Sequence, residues 1–73
     1  STVSEVADLA VQFNIIQKSG SWYSYEQQKI AQGREGLKAY LTNETDFYDL
    51  IYQKVRTTLI DNPDSLEAIS DAS

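Results

Sequence analysis

The hydrophobic pattern of this chain changes period twice, and that switch limits the folds open to it more than any other feature. Val6, Leu9, Ala10 and Phe13 stand at i, i+3, i+4 and i+7, one face of a 3.6-residue period. This predicts a helix over residues 3–14. Thr2 and Glu5 have capping-box spacing with Ser4 as a rival cap, and Asn14 suits a left-handed stop. From residue 15 to 32 the β-branched and aromatic types that strands favour take over: Ile15-Ile16, Trp22-Tyr23-Ser24-Tyr25 and Ile30. Ser19-Gly20 and Glu26-Gln27 punctuate them, predicting three short antiparallel strands at 15–18, 21–25 and 28–31. Gln27 is a poor residue for a turn that needs positive φ.

Helical spacing then returns. Gly33 can cap a second helix that runs to residue 42 with Leu37, Tyr40 and Leu41 inward. Asn43 and Thr45 are candidate caps for a third, over residues 46–59, where Phe47, Leu50, Ile51, Val55, Thr58 and Leu59 recur on one face. Asn62-Pro63 ends it, because proline disfavours helical geometry in the residue before it. The expected architecture is α+β: a helix, a three-stranded antiparallel meander and two helices. It forms one domain over 1–60, followed by an acidic tail over 61–73 that is expected to fray.

With 73 residues and neither Cys nor His, disulfide and common zinc staples are excluded, so the fold must rest on packing or on a neighbour. The chain opens on Ser1-Thr2 without an initiator Met, as expected for a segment of a longer protein. No apolar run approaches the roughly 18 residues of a membrane span, and no secretory leader is evident. The lack of Cys fits a cytoplasmic chain.

Net charge is −5, which taken whole argues against nucleic acid, but the distribution argues otherwise. Asp61, Asp64, Glu67 and Asp71 carry −4 of it after Ile60. Residues 1–60 hold six basic and seven acidic side chains, a net of −1. Within 18–38, Lys18, Lys29, Arg34 and Lys38 face only Glu26 and Glu35, a net of +2. Catalytic constellations are nearly absent. Without His the commonest general base is missing, and there is neither a GxxxxGK[ST] phosphate loop nor a GxGxxG.

The basic and aromatic region 17–38 is therefore the candidate site. Lys and Arg that neutralise phosphates release condensed counterions, the main source of sequence-independent affinity for a duplex. Free backbone N–H groups at Gly33 could receive a phosphate. Arg34 and Lys38 are like charges at i, i+4 that a phosphate between them would relieve. Each has a plainer reading. Trp22 is more readily a core residue than a base-stacking platform, with Tyr23 and Tyr25 on the opposite strand face. Lys18 and Lys29 can be solvated edge-protecting positions, and Glu35 can compete with any phosphate at the helix start. Tyr52 and Arg56 read as a surface pair.

The stretch DLAVQFNIIQKSGSWYSYEQQKIAQGREGLKAYL resembles the C-terminal domain of bacterial RecA recombinases. The matching blocks are Ile15-Ile16, Lys18-Ser19-Gly20, Trp22-Tyr23-Ser24-Tyr25, Lys29-Ile30, Gln32-Gly33-Arg34 and Lys54-Val55-Arg56, and the likeness covers about residues 3–60. It implies a non-catalytic domain beside an ATPase core that uses ATP and Mg, in a cytoplasmic filament serving recombination, repair and the SOS response to DNA damage. In that setting the domain captures incoming double-stranded DNA. By motif match Lys18 and Arg34 fall on the basic positions of that contact and Lys29 is a third. The stretch after Ile60 resembles the start of an acidic tail that restrains duplex binding. Two departures predict weaker binding than in a typical relative. Glu26-Gln27 replaces a Lys-Gly type turn, and Ala31 replaces a Gly.

The leading expectation is thus duplex binding by Lys18, Lys29 and Arg34, with Gly33 and Lys38 in support. Three or four phosphate contacts imply a log K against log salt slope of about −3 to −4. The alternatives are a protein-interaction module working through the Tyr48–Tyr52–Arg56 face, and a structural cap on the recombinase core and its neighbouring filament subunits.

Overall fold

The structure, a computed structural model, describes residues 2–62; of the acidic tail expected over 61–73, Asp61 closes the last helix, and residues 63–73 lie outside the described residues. Helix α1 (Thr2–Gln12) carries Val6, Ala7 and Ala10 on its buried face. Thr2 and Ser4 are both already helical, so neither is the cap that the sequence suggested. The helix stops where Asn14 enters the left-handed region at φ 59°. Asn14 N–H then donates to Val11 O at 3.0 Å and Ile15 N–H to Ala10 O at 2.8 Å, the paired bonds of a Schellman stop. Ile16 N–H also donates to Ala10 O, at 3.0 Å. These two amides are used up in ending the helix, which is why the first strand begins at Gln17 and not at Ile15.

Strands β1 (Gln17–Ser19), β2 (Trp22–Tyr25) and β3 (Gln28–Gln32) form an antiparallel meander in the order β1-β2-β3. Gly20 opens the first two-residue loop at φ 61°, the backbone that a II′ hairpin requires of its first central residue. The second loop is Glu26-Gln27 with φ 49° and 70°, so both residues hold positive φ without being Gly or Asn. The register slips by one residue between Tyr23 and Ser24, whose partners are Ala31 and Lys29. Ile30 is the extra residue. This bulge lets Ile30 and Ala31, neighbours in sequence, both pack against the core.

Helix α2 (Gly33–Asn43) seats Leu37 and Leu41 in the core, and α3 (Thr45–Asp61) seats Ile51 and Val55. The junction between them is the single residue Glu44. Its N–H donates to Tyr40 O at 2.9 Å and its carbonyl accepts from Tyr48 N–H at 2.8 Å, so one residue serves both helix ends. Neither Asn43 nor Thr45 caps α3 as the sequence suggested: Asn43 is the last residue of α2, and α3 has no side-chain cap.

The core joins Val6, Ala7 and Ala10 of α1, Ile16, Tyr23 of β2, and the α2 and α3 residues just named. No polar side chain is buried in it. Leu50, expected to face inward, is 44% exposed. Phe47 lies edge-on to both Tyr25 and Tyr40, with centroids 5.2 and 5.4 Å away, and ties the hairpin to the helix pair.

Candidate nucleic-acid interface

The sheet has a packed face and an open one, and the aromatic residues divide between them in the opposite sense to expectation. Tyr23 is buried at 7% exposure, and Trp22, favoured from sequence as a core residue, is 38% exposed. Alternation along a strand requires the two to point apart. The packing of α2 through Leu37 and Leu41 on the Tyr23 side decides which is inside. Across the open face the ammonium of Lys29 lies 5.1 Å from the centre of the Trp22 ring, within the range of a cation–π contact.

The sequence-predicted basic residues are only partly brought together. Lys18 pairs with Tyr23 and Lys29 with Ser24, so the register sends the two lysines to opposite faces of the sheet. Lys18 stands on the edge strand and is exposed. Among the described residues, neither lysine is in an ion pair.

Arg34 and Lys38 are not free cations. Arg34 extends to α1, where its Nη1 meets Asp8 Oδ1 and its Nη2 donates to Asp8 Oδ2 at 3.1 Å and to Ser4 Oγ at 3.0 Å. The hydrogen bonds that Arg34 donates to Asp8, then the charge of that carboxylate, hold the guanidinium pKa above its ordinary value. The fork geometry of arginine explains the two-point contact. Lys38 Nζ donates to Glu35 Oε2 at 3.0 Å. The like charges at i, i+4 are therefore each relieved by a carboxylate, and no phosphate is needed between them.

Gly33 stands at φ 77° with open space where a Cβ would project. The position calls for glycine because of its backbone angle alone. Its N–H is not available to a phosphate, because it donates to Ser21 O at 2.7 Å. That bond fixes the entry of α2 to the first hairpin turn. Gln32 Nε2 adds a bond to Ser21 Oγ at 3.2 Å, and no side chain caps the helix.

Two grooves are lined by none of Lys18, Lys29, Arg34 and Lys38. An open groove of about 990 Å³ runs between the tip of the second hairpin and α3, with Ile15, Tyr25 and Leu50 as its apolar part and Lys54 on its rim. A smaller one between α1 and α3 includes Leu9, Tyr52 and Arg56. On the adjoining face the Tyr48 and Tyr52 rings are 6.1 Å apart. Burial, then Tyr52, Asp49 and Glu5, raises the Tyr48 phenol above its usual value, so it is a neutral hydroxyl at neutral pH. Among the described residues there is no group of three acidic side chains placed to hold a metal ion, and no helix is long and apolar enough to cross a membrane.

Fold and surface together define a small α+β domain whose open sheet face bears Trp22 and Lys29, with Lys18 exposed on the edge strand. Comparison with known proteins names the class. The family model of the RecA C-terminal domain matches residues 4–60. The RecA protein of Listeria welshimeri serovar 6b is 52% identical over 52 residues, 71% of this chain and 15% of that protein. Two RecA proteins of Legionella pneumophila are also similar. That of strain Corby is 43% identical over 67 residues (92% of this chain, 19% of its own), and that of strain Lens 41% over 70 residues (96% and 20%). The chain belongs to the RecA C-terminal domain family, a domain of recombinases. It spans between 15% and 20% of the length of these relatives, and its sequence contains no phosphate loop.

Proposed function

We propose that this domain binds double-stranded DNA for a RecA-type recombinase, through phosphate contacts by Lys18 and Lys29. The observation that carries the reading is the presence of two exposed lysines on a three-stranded sheet, neither paired to a carboxylate among the described residues. Lysines so placed exchange condensed counterions for phosphates at no cost in broken ion pairs. Arg34 is a latent third contact, held by Asp8 until a phosphate competes for it. ATP and Mg are assigned to the remainder of the parent recombinase, together with the filament contacts. Recombination, repair, the SOS response and a cytoplasmic setting follow from that parentage.

With Arg34 and Lys38 held by carboxylates, the count of available phosphate contacts falls from four to two. The expected slope of log K against log salt for a short duplex is then about −2. Asp8→Asn removes one negative charge and frees Arg34. It should tighten duplex binding at low salt and steepen the slope by about 0.9, the increment for one further phosphate. Fluorescence anisotropy of a labelled duplex across a salt series measures both. A slope near zero in the parent chain, or no steepening in the variant, would count against the assignment.

One observation favours a second reading, a protein-interaction module. Leu50 is 44% exposed beside Tyr25 and Ile15 in the groove along α3, an apolar surface that binding to DNA leaves unused. Under that reading a partner protein perturbs α3 and duplex DNA perturbs nothing.

A further inference from the structure

We propose that the open face of the meander is a stacking site for an unpaired nucleobase, with Trp22 as the platform and Lys29 as its cation. The inference rests on the nucleic-acid reading above and adds to it a ligand that phosphate contacts alone do not select.

Trp22 is the sole tryptophan of the chain, and it is the aromatic residue of β2 that the fold leaves 38% exposed. It sits on the central strand between Ser19 and Gln32, its cross-strand partners. Both neighbours are polar and one is small, so the indole stands above its surroundings. Register places Gln17, Ser19, Ser24, Lys29 and Gln32 on the same face, and none of them is a carboxylate. A strand of nucleic acid therefore meets no like charge from the strands of this face. A lone aromatic in a polar frame lacks the cluster of apolar residues that forms the centre of a protein interface. It has what a single base needs, since every base offers a π-face and stacking on an aromatic tolerates any sequence.

Lys29 supplies the cation of the site. Its ammonium rests over the indole and, among the described residues, is in no ion pair. A cation–π contact at an exposed site is weaker than stacking of a base on the same ring. An incoming base takes the ring face, and the displaced ammonium is released to the adjoining phosphate. Fully paired DNA has no free base face to offer, so the site selects single strands, bulges and locally opened duplex.

Trp22 emission reports the event directly. The probes are a short oligothymidylate, a fully paired duplex and the same duplex with one bulged thymidine. Quenching is expected with the oligothymidylate and the bulged duplex, with about tenfold tighter binding to the bulged than to the paired form. Anisotropy of labelled DNA extends the test to variants. Trp22→Ala should abolish the preference, Trp22→Phe should keep part of it, and circular dichroism verifies that both are folded. Unchanged emission with the oligothymidylate and the bulged duplex, or an undiminished preference in folded Trp22→Ala, overturns the proposal. Salt-sensitive binding of paired duplex that persists in that case leaves the phosphate reading standing. Quenching by the oligothymidylate without any binding of paired duplex supports stacking and removes the duplex reading.

Discussion

Replacing Ile51 with alanine will leave this domain largely unfolded at room temperature. Ile51 is fully buried where α3 meets the core residues of α1 and α2. Truncating a buried isoleucine removes its transfer free energy and leaves a cavity, at a combined cost of about 2–5 kcal/mol. A core in a chain of this size rarely supplies more than about 3–5 kcal/mol. The chain has no disulfide to compensate, since it has no cysteine. Ile51→Val removes a single methylene, costs about 0.5–1.5 kcal/mol, and should remain folded. Urea denaturation followed by circular dichroism distinguishes the two. An alanine variant with an unchanged midpoint would mean that the helices are not held together through this residue.

The second large effect runs in the stabilising direction. Glu26 and Gln27 both hold positive φ, at 49° and 70°, in a loop whose geometry selects Asn-Gly. A side chain other than Asn or Asp in the left-handed region costs about 1–2 kcal/mol. Glu26→Asn with Gln27→Gly should relieve part of this at both positions and stabilise the domain by about 1–2 kcal/mol. For a domain of this length that raises the thermal midpoint by about 5–10 °C. The replacement also removes the negative charge of Glu26, so duplex affinity should rise, not fall. A midpoint that stays the same or drops would show that the turn is not under backbone strain.

The element order was legible because its signals are local. Asn14 and Gly33 stand where the backbone takes positive φ, and the apolar spacing of α1 and α3 follows a single period. The second turn was also in place, although Gln27 is an unfavourable residue there. The facing of the sheet was not legible. Alternation says that Trp22 and Tyr23 point apart but not which of them is inside. That choice depends on α2 and on a one-residue bulge at Ile30, and neither has a signature within β2. For the site, residue type suggests that Lys18 and Lys29 are solvated, and both are exposed, but it does not show that they lie on opposite faces. Nor could it show that Arg34 is engaged by Asp8, 26 residues away, or that the Gly33 amide is taken by Ser21. Both are tertiary pairings between side chains and peptides that no short motif encodes. What sequence counted as a patch of four cations becomes two available lysines, an arginine clamped by Asp8 and a lysine paired with Glu35.

Duplex contact by Lys18 and Lys29, neither of them in an ion pair among the described residues, is the core of the proposed function. Titration of the isotopically labelled chain with a short duplex at low salt, followed through backbone amide shifts, tests it most directly. Shifts are expected to concentrate at Lys18, Lys29 and their strand neighbours and to fade as salt is raised. Shifts at Arg34 and Asp8 should grow in at higher DNA concentration as phosphate displaces the carboxylate. A response confined to α3, or none at all at low salt, would contradict it.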